Sequence, residues 1–265
     1  MHDPAELVAL ATRVATRSVD LLRGGRDRGR ATATAKSTAT DMVSEMDRAS
    51  ERLIVEELLA ARPGDGVVAE EGSGRSGTSG LRWVVDPLDG TTNYLYDLPG
   101  WNVSVAAEDA DGVVAGVVAD GVRGEVFSAT RGGGAFRDGR PVRCSGATRL
   151  ETALVGTGFG YAPERRAAQG AVVGRLLPLV ADVRRSGAAA LDLCSVACGR
   201  LDAYYEHGLA WWDLAAGALV ASEAGATVLP LGSGSLQGGA VVAGAPAVVA
   251  PLRDLLSALS AHDVP

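Results

Sequence analysis

The stretch Trp83-Val84-Val85-Asp86-Pro87-Leu88-Asp89-Gly90-Thr91-Thr92-Asn93 constrains this chain more than any other. Its apolar, β-branched start reads as the tail of a buried strand. Asp86 follows, and Pro87 fixes the backbone as the strand exits. Asp89 comes three residues after Asp86, and Gly90 permits a tight bend directly behind it. Such a turn aims two carboxylates, and the Leu88 carbonyl between them, at one point. Oxygen-only ligation suits a hard divalent cation, which keeps several waters and a substrate phosphate beside one or two carboxylates. Thr91, Thr92 and Asn93 then offer hydroxyls and N–H groups where a helix can begin, a seat for an anion. The competing reading is a plain turn in which the aspartates only cap backbone groups. A D-x-D-x-T loop with a nucleophilic first aspartate fits less well, because here the acids are three apart with a proline between.

A chain of 265 residues, 47% of them hydrophobic, can build one large domain or two tightly joined ones. We place a boundary at 145/146, with residues 1–145 as an N-terminal α+β half and 146–265 as a C-terminal α/β half of one compact unit. A net charge of −7 argues against a nucleic-acid backbone as partner. Cys144, Cys194 and Cys198 cannot all pair within one chain, and Cys194 and Cys198 read as buried core thiols. With no C-x-x-C and only three histidines, a zinc site is not expected. No apolar signal core or long apolar run is present, so the expectation is a soluble cytoplasmic protein without membrane contact.

Periodicity predicts a helix over 4–23 with Leu7, Leu10, Val14 and Leu21 on one face, stopped by Gly24-Gly25. Residues 24–40 then read as a basic, Thr- and Gly-rich loop in which Lys36 is solvated, phosphate contact being its alternative. A second helix is expected from Asp41, with Asp47 as a surface acid near the positive end of the helix dipole. Val67-Val68-Ala69 reads as a short strand running into Glu70-Glu71, where an α/β sheet usually opens its ligand crevice. Residues 101–129 carry the alternation of an antiparallel meander, and the Gly132–Gly134 run lacks the features of a nucleotide loop. The second half alternates strand and helix. Gly187 precedes a small-residue helix whose first amides form an anion or hydroxyl seat. Glu206 ends a strand, and Asp213 heads another small-residue helix, where an N-cap is its ordinary role.

Singly, Asp47, Glu70, Asp86, Asp89 and Asp213 each have a structural explanation. Gathered together they are costly unless cations neutralise them, and two or three Mg²⁺ ions are the economical reading. The chain resembles the inositol monophosphatase family of Mg²⁺-dependent, lithium-sensitive sugar phosphatases. The resemblance rests on W-V-V-D-P-L-D-G-T-T-N-Y at 83–94 and W-D-L-A-A-G-A-L-V-A-S-E-A-G at 212–225. D-M-V-S-E-M-D at 41–47, Glu70-Glu71 and R-S-G-A-A-A-L-D-L at 185–193 support it.

The resemblance implies a mixed α+β fold of the layered αβαβα type, a homodimer, and hydrolysis of myo-inositol monophosphate or another sugar phosphate. It assigns Glu70, Asp86, the Leu88 carbonyl and Asp89 to metal, with Asp213 completing a second metal's shell. Asp47 and Thr91, with Glu70, would activate the attacking water. Substrate would meet Glu70 and Leu88 through the metals, the Gly90 and Thr91 amides through its phosphate, and Gly187, Ala189, Glu206 and Asp213 through its hydroxyls. Ala188 departs from the pattern, since relatives often carry a hydroxyl residue there. Histidinol phosphate and fructose-1,6-bisphosphate are the alternative substrates, and a catalytically idle metal- or partner-binding relative is the alternative class. The chemistry itself needs charge neutralisation, a nucleophilic water and in-line geometry, which two metals about 4 Å apart supply.

Overall fold

In the computed structural model, which describes residues 2–36, 42–232 and 234–259, Asp3 caps the first helix, α1 (Pro4–Thr32). Its carboxylate accepts from the Ala5 N–H at 2.9 Å, and Pro4 occupies the first turn, where a missing N–H costs nothing. Leu7, Leu10, Val14 and Leu22 form the buried stripe, with Leu21 half-buried at its margin. The expected stop at Gly24-Gly25 is wrong. The helix runs on because a Cβ at Gly25 would overlap the Met46 side chain, and one at Gly29 would stand 2.8 Å from Tyr94 Cε1. These two glycines are the close-contact face of the helix. Glycine in a helix costs roughly 0.5–1 kcal/mol relative to alanine, a cost the close packing offsets.

The loop expected over 24–40 therefore shrinks to the residues after Thr32. Strands β1 (Thr34–Ala35) and β2 (Met42–Val43) pair there, antiparallel. Asp41, expected to open the second helix, lies outside the described residues. That helix, α2 (Glu45–Ala61), is capped by Ser44.

Strand β3 (Gly66–Ala69) lies parallel to β4 (Arg82–Asp89), and α3 (Thr91–Leu95) follows β4 directly. The predicted meander then appears as β5 (Asn102–Asp109), β6 (Gly112–Asp120), β7 (Val126–Thr130), β8 (Gly134–Arg137) and β9 (Arg140–Pro141). They complete a seven-stranded sheet in the order β3-β4-β5-β6-β7-β8-β9. The exit of β4 differs from expectation. The strand does not end at Asp86: Asp86 pairs with Ser104 and Asp89 with Asn102, so Pro87 and Leu88 together face Val103. The extra residue is a bulge, one of the places a sheet tolerates proline. The acids of the central turn are thus carried on a bulged strand end.

A five-stranded sheet is built from β10 (Leu154–Thr157), β11 (Asp182–Arg184), β12 (Ala203–His207), β13 (Thr227–Pro230) and β14 (Ala240–Gly244), in the order β11-β10-β12-β14-β13. Helix α4 (Pro163–Leu176) joins β10 to β11, and α5 (Ala189–Ala197) joins β11 to β12. Helix α6 (Trp211–Glu223) precedes β13, and α7 (Pro246–Ala258) follows β14.

The apolar faces define five layers. Helices α1 and α2 pack on the seven-stranded sheet, and α4 and α7 cover the outer face of the five-stranded sheet. Between the sheets lie α5 and α6. Only small residues let a helix pair fit there. A Cβ at Gly116 of β6 would come within 3.0 Å of the Ala216 Cα, and one at Gly217 within 3.0 Å of Leu193. The αβαβα order is the one the resemblance implies. Cys194 is buried as expected, whereas Cys198, at the C-terminal cap of α5, is half-buried.

Candidate active site

A cavity of about 350 Å³ opens where the two sheets and the middle helix layer meet. It is lined by Glu70, Asp86, Leu88, Asp89, Gly90, Thr91, Gly187, Ala188, Ala189, Glu206 and Asp213, with Lys36 at its mouth. Of the site residues expected from sequence, only Asp47 is not on that wall, and it lies directly behind it. A larger hollow of 720 Å³ beside β3 and the start of β4 holds Arg75, Arg82, Glu108 and Asp109. There Arg82 is already paired with Glu108.

Each acid is aimed by local structure. Asp47 is not the surface carboxylate that its helix position implied: it is 1% exposed. Its Oδ2 accepts from the Ser44 N–H (2.8 Å) and hydroxyl (2.6 Å), closing a capping box. This leaves Oδ1 to accept from the Thr91 hydroxyl at 3.0 Å. The Leu88 carbonyl also lies 3.0 Å from that hydroxyl, so one hydrogen serves two acceptors. Glu70 follows β3 and is tied to β4 by its N–H to the Val85 carbonyl, 3.3 Å. The turn behind it is clamped by buried Glu51 of α2, which accepts from the Glu71 and Ser73 N–H groups at 2.6 and 2.9 Å. Asp86 accepts from the Leu88 N–H across the bulge (3.0 Å). Asp213 is the third residue of α6, not its cap, and accepts from the Ala210 N–H at 2.7 Å.

Asp89 Oδ2 accepts from Asn102 Nδ2 (2.9 Å) and from the Ala190 N–H (3.0 Å). The first amides of α5, expected to seat an anion, are thus in part already turned to a carboxylate of the protein, favourably placed at the positive helix end. Lys36 is not solvated either. Its ammonium donates to Glu70 at 2.8 Å and to Glu71.

Burial and crowding set the titration. Burial pushes Asp86 well above the carboxylate range, and the charges of Glu70, Asp89 and Asp213 push it further. Asp213 is raised by burial and then by Asp89, with the Ala210 amide pulling it back. Asp89 rises to about 6 through burial, against the pull of Asn102 and the α5 amides. Burial raises Glu70 while Lys36 lowers it, and burial raises Asp47 against its hydrogen bonds from Ser44 and Thr91. Burial also pulls the Lys36 ammonium down, but Glu70 and Glu71 outweigh it and hold it above the lysine range. At the far wall, burial brings Glu206 to about 7, with Tyr204 and Arg185 drawing it down.

The donor set fits a hard divalent cation: carboxylates and one carbonyl, whose mutual repulsion a cation would relieve. Among the described residues, no three acidic, histidine or cysteine side chains already converge on one point at ligand spacing. Each carboxylate is instead turned toward a protein donor, and Lys36 holds Glu70. Glu70, Asp86, Asp89, Asp213 and the Leu88 carbonyl are the groups available to a metal.

Three residues have supporting roles that the sequence reading did not assign to them. Asn93 Nδ2 donates to the Gly100 carbonyl (2.6 Å) and the Ser186 carbonyl (2.8 Å), joining the turn after Asp89 to the segment before α5. Asp192 is buried and hydrogen-bonded by Ser186, and burial raises it to about 8. Arg185 lies over Phe159, its guanidinium 6.0 Å from the ring centroid, and lines the same cavity. Asn93 and Asp192 sit inside motifs already noted, but only tertiary contact gives them their work.

The fold agrees with comparisons to known proteins. The model of the inositol monophosphatase family matches residues 3–262. An inositol-1-monophosphatase of Mycobacterium leprae is 47% identical over 268 positions, 93% of this chain and 92% of that protein. The solved structure of extragenic suppressor protein suhB from Bartonella henselae superposes with a TM-score of 0.90 at 34% identity, covering 95% of this chain and 98% of that one. That of Mycobacterium tuberculosis SuhB gives 0.82 at 41%, covering 98% of each. With a match spanning nearly its whole length, this chain belongs to the inositol monophosphatase family.

Proposed function

We propose that this chain, a phosphatase of the inositol monophosphatase family, is a Mg²⁺-dependent enzyme that hydrolyses myo-inositol monophosphate to inositol and inorganic phosphate. The observation that carries the reading is one cavity lined by Glu70, Asp86, Asp89 and Asp213, with the Asp47–Thr91 pair at its back. When bound, two to three Mg²⁺ ions would neutralise the acids and the phosphate and lower the pKa of the attacking water.

The protein's part is to position groups and move one proton. Glu70, Asp86, Asp89 and the Leu88 carbonyl would hold the metals, with Asp213 completing the shell of a second metal. Thr91 gives its hydroxyl hydrogen to Asp47, so its oxygen faces the cavity as an acceptor for the water's proton. Asp47, lifted by burial above the ordinary range, is a better base near neutrality than a solvated carboxylate. The N–H groups of Gly90 and Thr91 open α3 without partners inside the helix and receive the phosphate. Gly187, Ala189 and Glu206 face the polyol, with Asp213 between the two ends. No nucleophilic side chain is used: water attacks phosphorus directly, and the alkoxide leaves and takes a proton from solvent water to become the polyol.

Ala188 lines the cavity and has no hydroxyl to offer, which favours a wider range of sugar and polyol phosphates, fructose-1,6-bisphosphate and histidinol phosphate included. The same reading takes the protein as a cytoplasmic homodimer of two-part subunits divided near 145/146. Exposed Leu98 and Val122, beside a 790 Å³ hollow, supply an apolar contact face. Among the described residues no helix is long and apolar enough to cross a membrane. The deciding experiment is phosphate release from D-myo-inositol 1-phosphate with and without Mg²⁺, compared by kcat/KM with the alternative substrates. Mg²⁺ binding without turnover on any of them would instead mark an idle relative.

A further inference from the structure

Strand β10 ends in Gly156-Thr157 with Gly158 directly after it, and its parallel neighbour β12 contains Tyr204-Tyr205-Glu206. The register pairs Gly156 with Tyr204 and Thr157 with Tyr205, so position 158 falls beside Glu206. Side chains two apart on a strand share a face, which puts Tyr204 and Glu206 on one face with a glycine next to each. Neither glycine has the positive φ that would demand glycine. Space is the reason for both. A Cβ at Gly156 would lie 2.7 Å from Leu201 Cδ1 and 3.2 Å from Tyr204 Cδ2, and a Cβ at Gly158 would overlap all three atoms of the Glu206 carboxylate. The carboxylate occupies the volume in which a side chain at 158 would sit. Its position is also held by the Tyr204 hydroxyl, which donates to Oε2. Tyr204 is itself fully buried.

We propose that Gly158 and Tyr204 are specificity-determining positioning residues, one leaving the space and the other supplying the hydrogen bond that place the Glu206 carboxylate to accept from the hydroxyls of a polyol phosphate. The proposal rests on the reading of Glu206 as the polyol-facing acid. An ionised carboxylate only accepts, so its placement selects ligands that present hydroxyl donors at that point. A phosphate ester without such hydroxyls is indifferent to where the carboxylate stands.

The test uses the intact enzyme with Mg²⁺ and two substrates, myo-inositol 1-phosphate and 4-nitrophenyl phosphate, in Gly158→Ala and Tyr204→Phe. The quantity read is the ratio of the two kcat/KM values. It falls about tenfold or more in each variant, through a raised KM for the inositol ester. In a Glu206→Ala background, adding Gly158→Ala moves the ratio less than about twofold, since the displaced group is gone. Tyr204→Phe adds no volume and carries the test if Gly158→Ala fails to fold. A ratio that stays at the wild-type value, or a full Gly158→Ala effect in the Glu206→Ala background, overturns the proposal while leaving the phosphatase reading intact. A wild-type enzyme that cleaves neither ester takes both down.

Discussion

At one end of the cavity Glu70, Asp86, Asp89 and Asp213 crowd together with Lys36 beside Glu70. At the other, Glu206 stands on the facing strand with the Tyr204 hydroxyl bonded to it and Arg185 drawing its pKa down. The four-acid end is electrostatically incomplete: burial raises every member, neighbouring acids raise Asp86 and Asp213 further, and a mobile cation is what such a group binds. Burial raises Glu206 too, to about 7, but its carboxylate already has the Tyr204 hydroxyl as a donor within the protein. On the proposed function, the contrast separates two tasks, with chemistry common to all substrates at the first end and choice among substrates at the second.

Breaking the first end gives the largest effect. Asp89→Asn keeps an oxygen for Asn102 and Ala190 but loses a charge, so turnover falls more than about 100-fold on every substrate, while circular dichroism and melting temperature stay near wild type. An unchanged rate would place the metals elsewhere. Asp47→Asn comes next, at about 10²–10⁴-fold in kcat. The wild-type rate falls as pH drops through the raised Asp47 pKa, because the base must be ionised, and this acid limb is missing in the variant. A limb that persists unchanged removes Asp47 from proton transfer.

Glu206→Ala sharpens the second end. Discrimination between inositol phosphate and 4-nitrophenyl phosphate drops, whereas kcat on the nitrophenyl ester changes far less than in Asp89→Asn. Equal losses on both esters would erase the division of labour.

The smallest effect is on stability. The folded-state pKa of Asp192 is raised to about 8 by burial, so between roughly pH 4 and 8 the native state holds a proton that the unfolded chain lacks. Stability contributed by that proton is lost as pH rises. Asp192→Asn removes this dependence, and its melting temperature gains on wild type from pH 5 to pH 8 at about 2–4 °C per kcal/mol for a chain of this size. A constant difference across that range would contradict the assignment.

How much of this was legible in sequence depends on the range of the interaction. The strand before Asp86, the meander and the small-residue helices were readable because periodicity and residue size are local signals. The layer order and the pairing of Asp47 with Thr91 came through the family resemblance. Gly25 and Gly29 misled, because a glycine that ends a helix and one that touches a neighbour look alike until Met46 and Tyr94 are in place. Lys36 misled for the same reason, its partners being 34 and 35 residues away. The bulge after Asp86, the Asn93 clamp and the Gly158–Glu206 fit arise from pairing between distant strands, for which one sequence gives no signal.

The measurement closest to the central claim is phosphate release from D-myo-inositol 1-phosphate as Mg²⁺ is titrated in, followed by Li⁺. Release that depends on Mg²⁺, is inhibited by Li⁺ and is abolished in Asp89→Asn is the predicted result. Release that proceeds at full rate without a divalent cation, or survives in Asp89→Asn, would contradict the account.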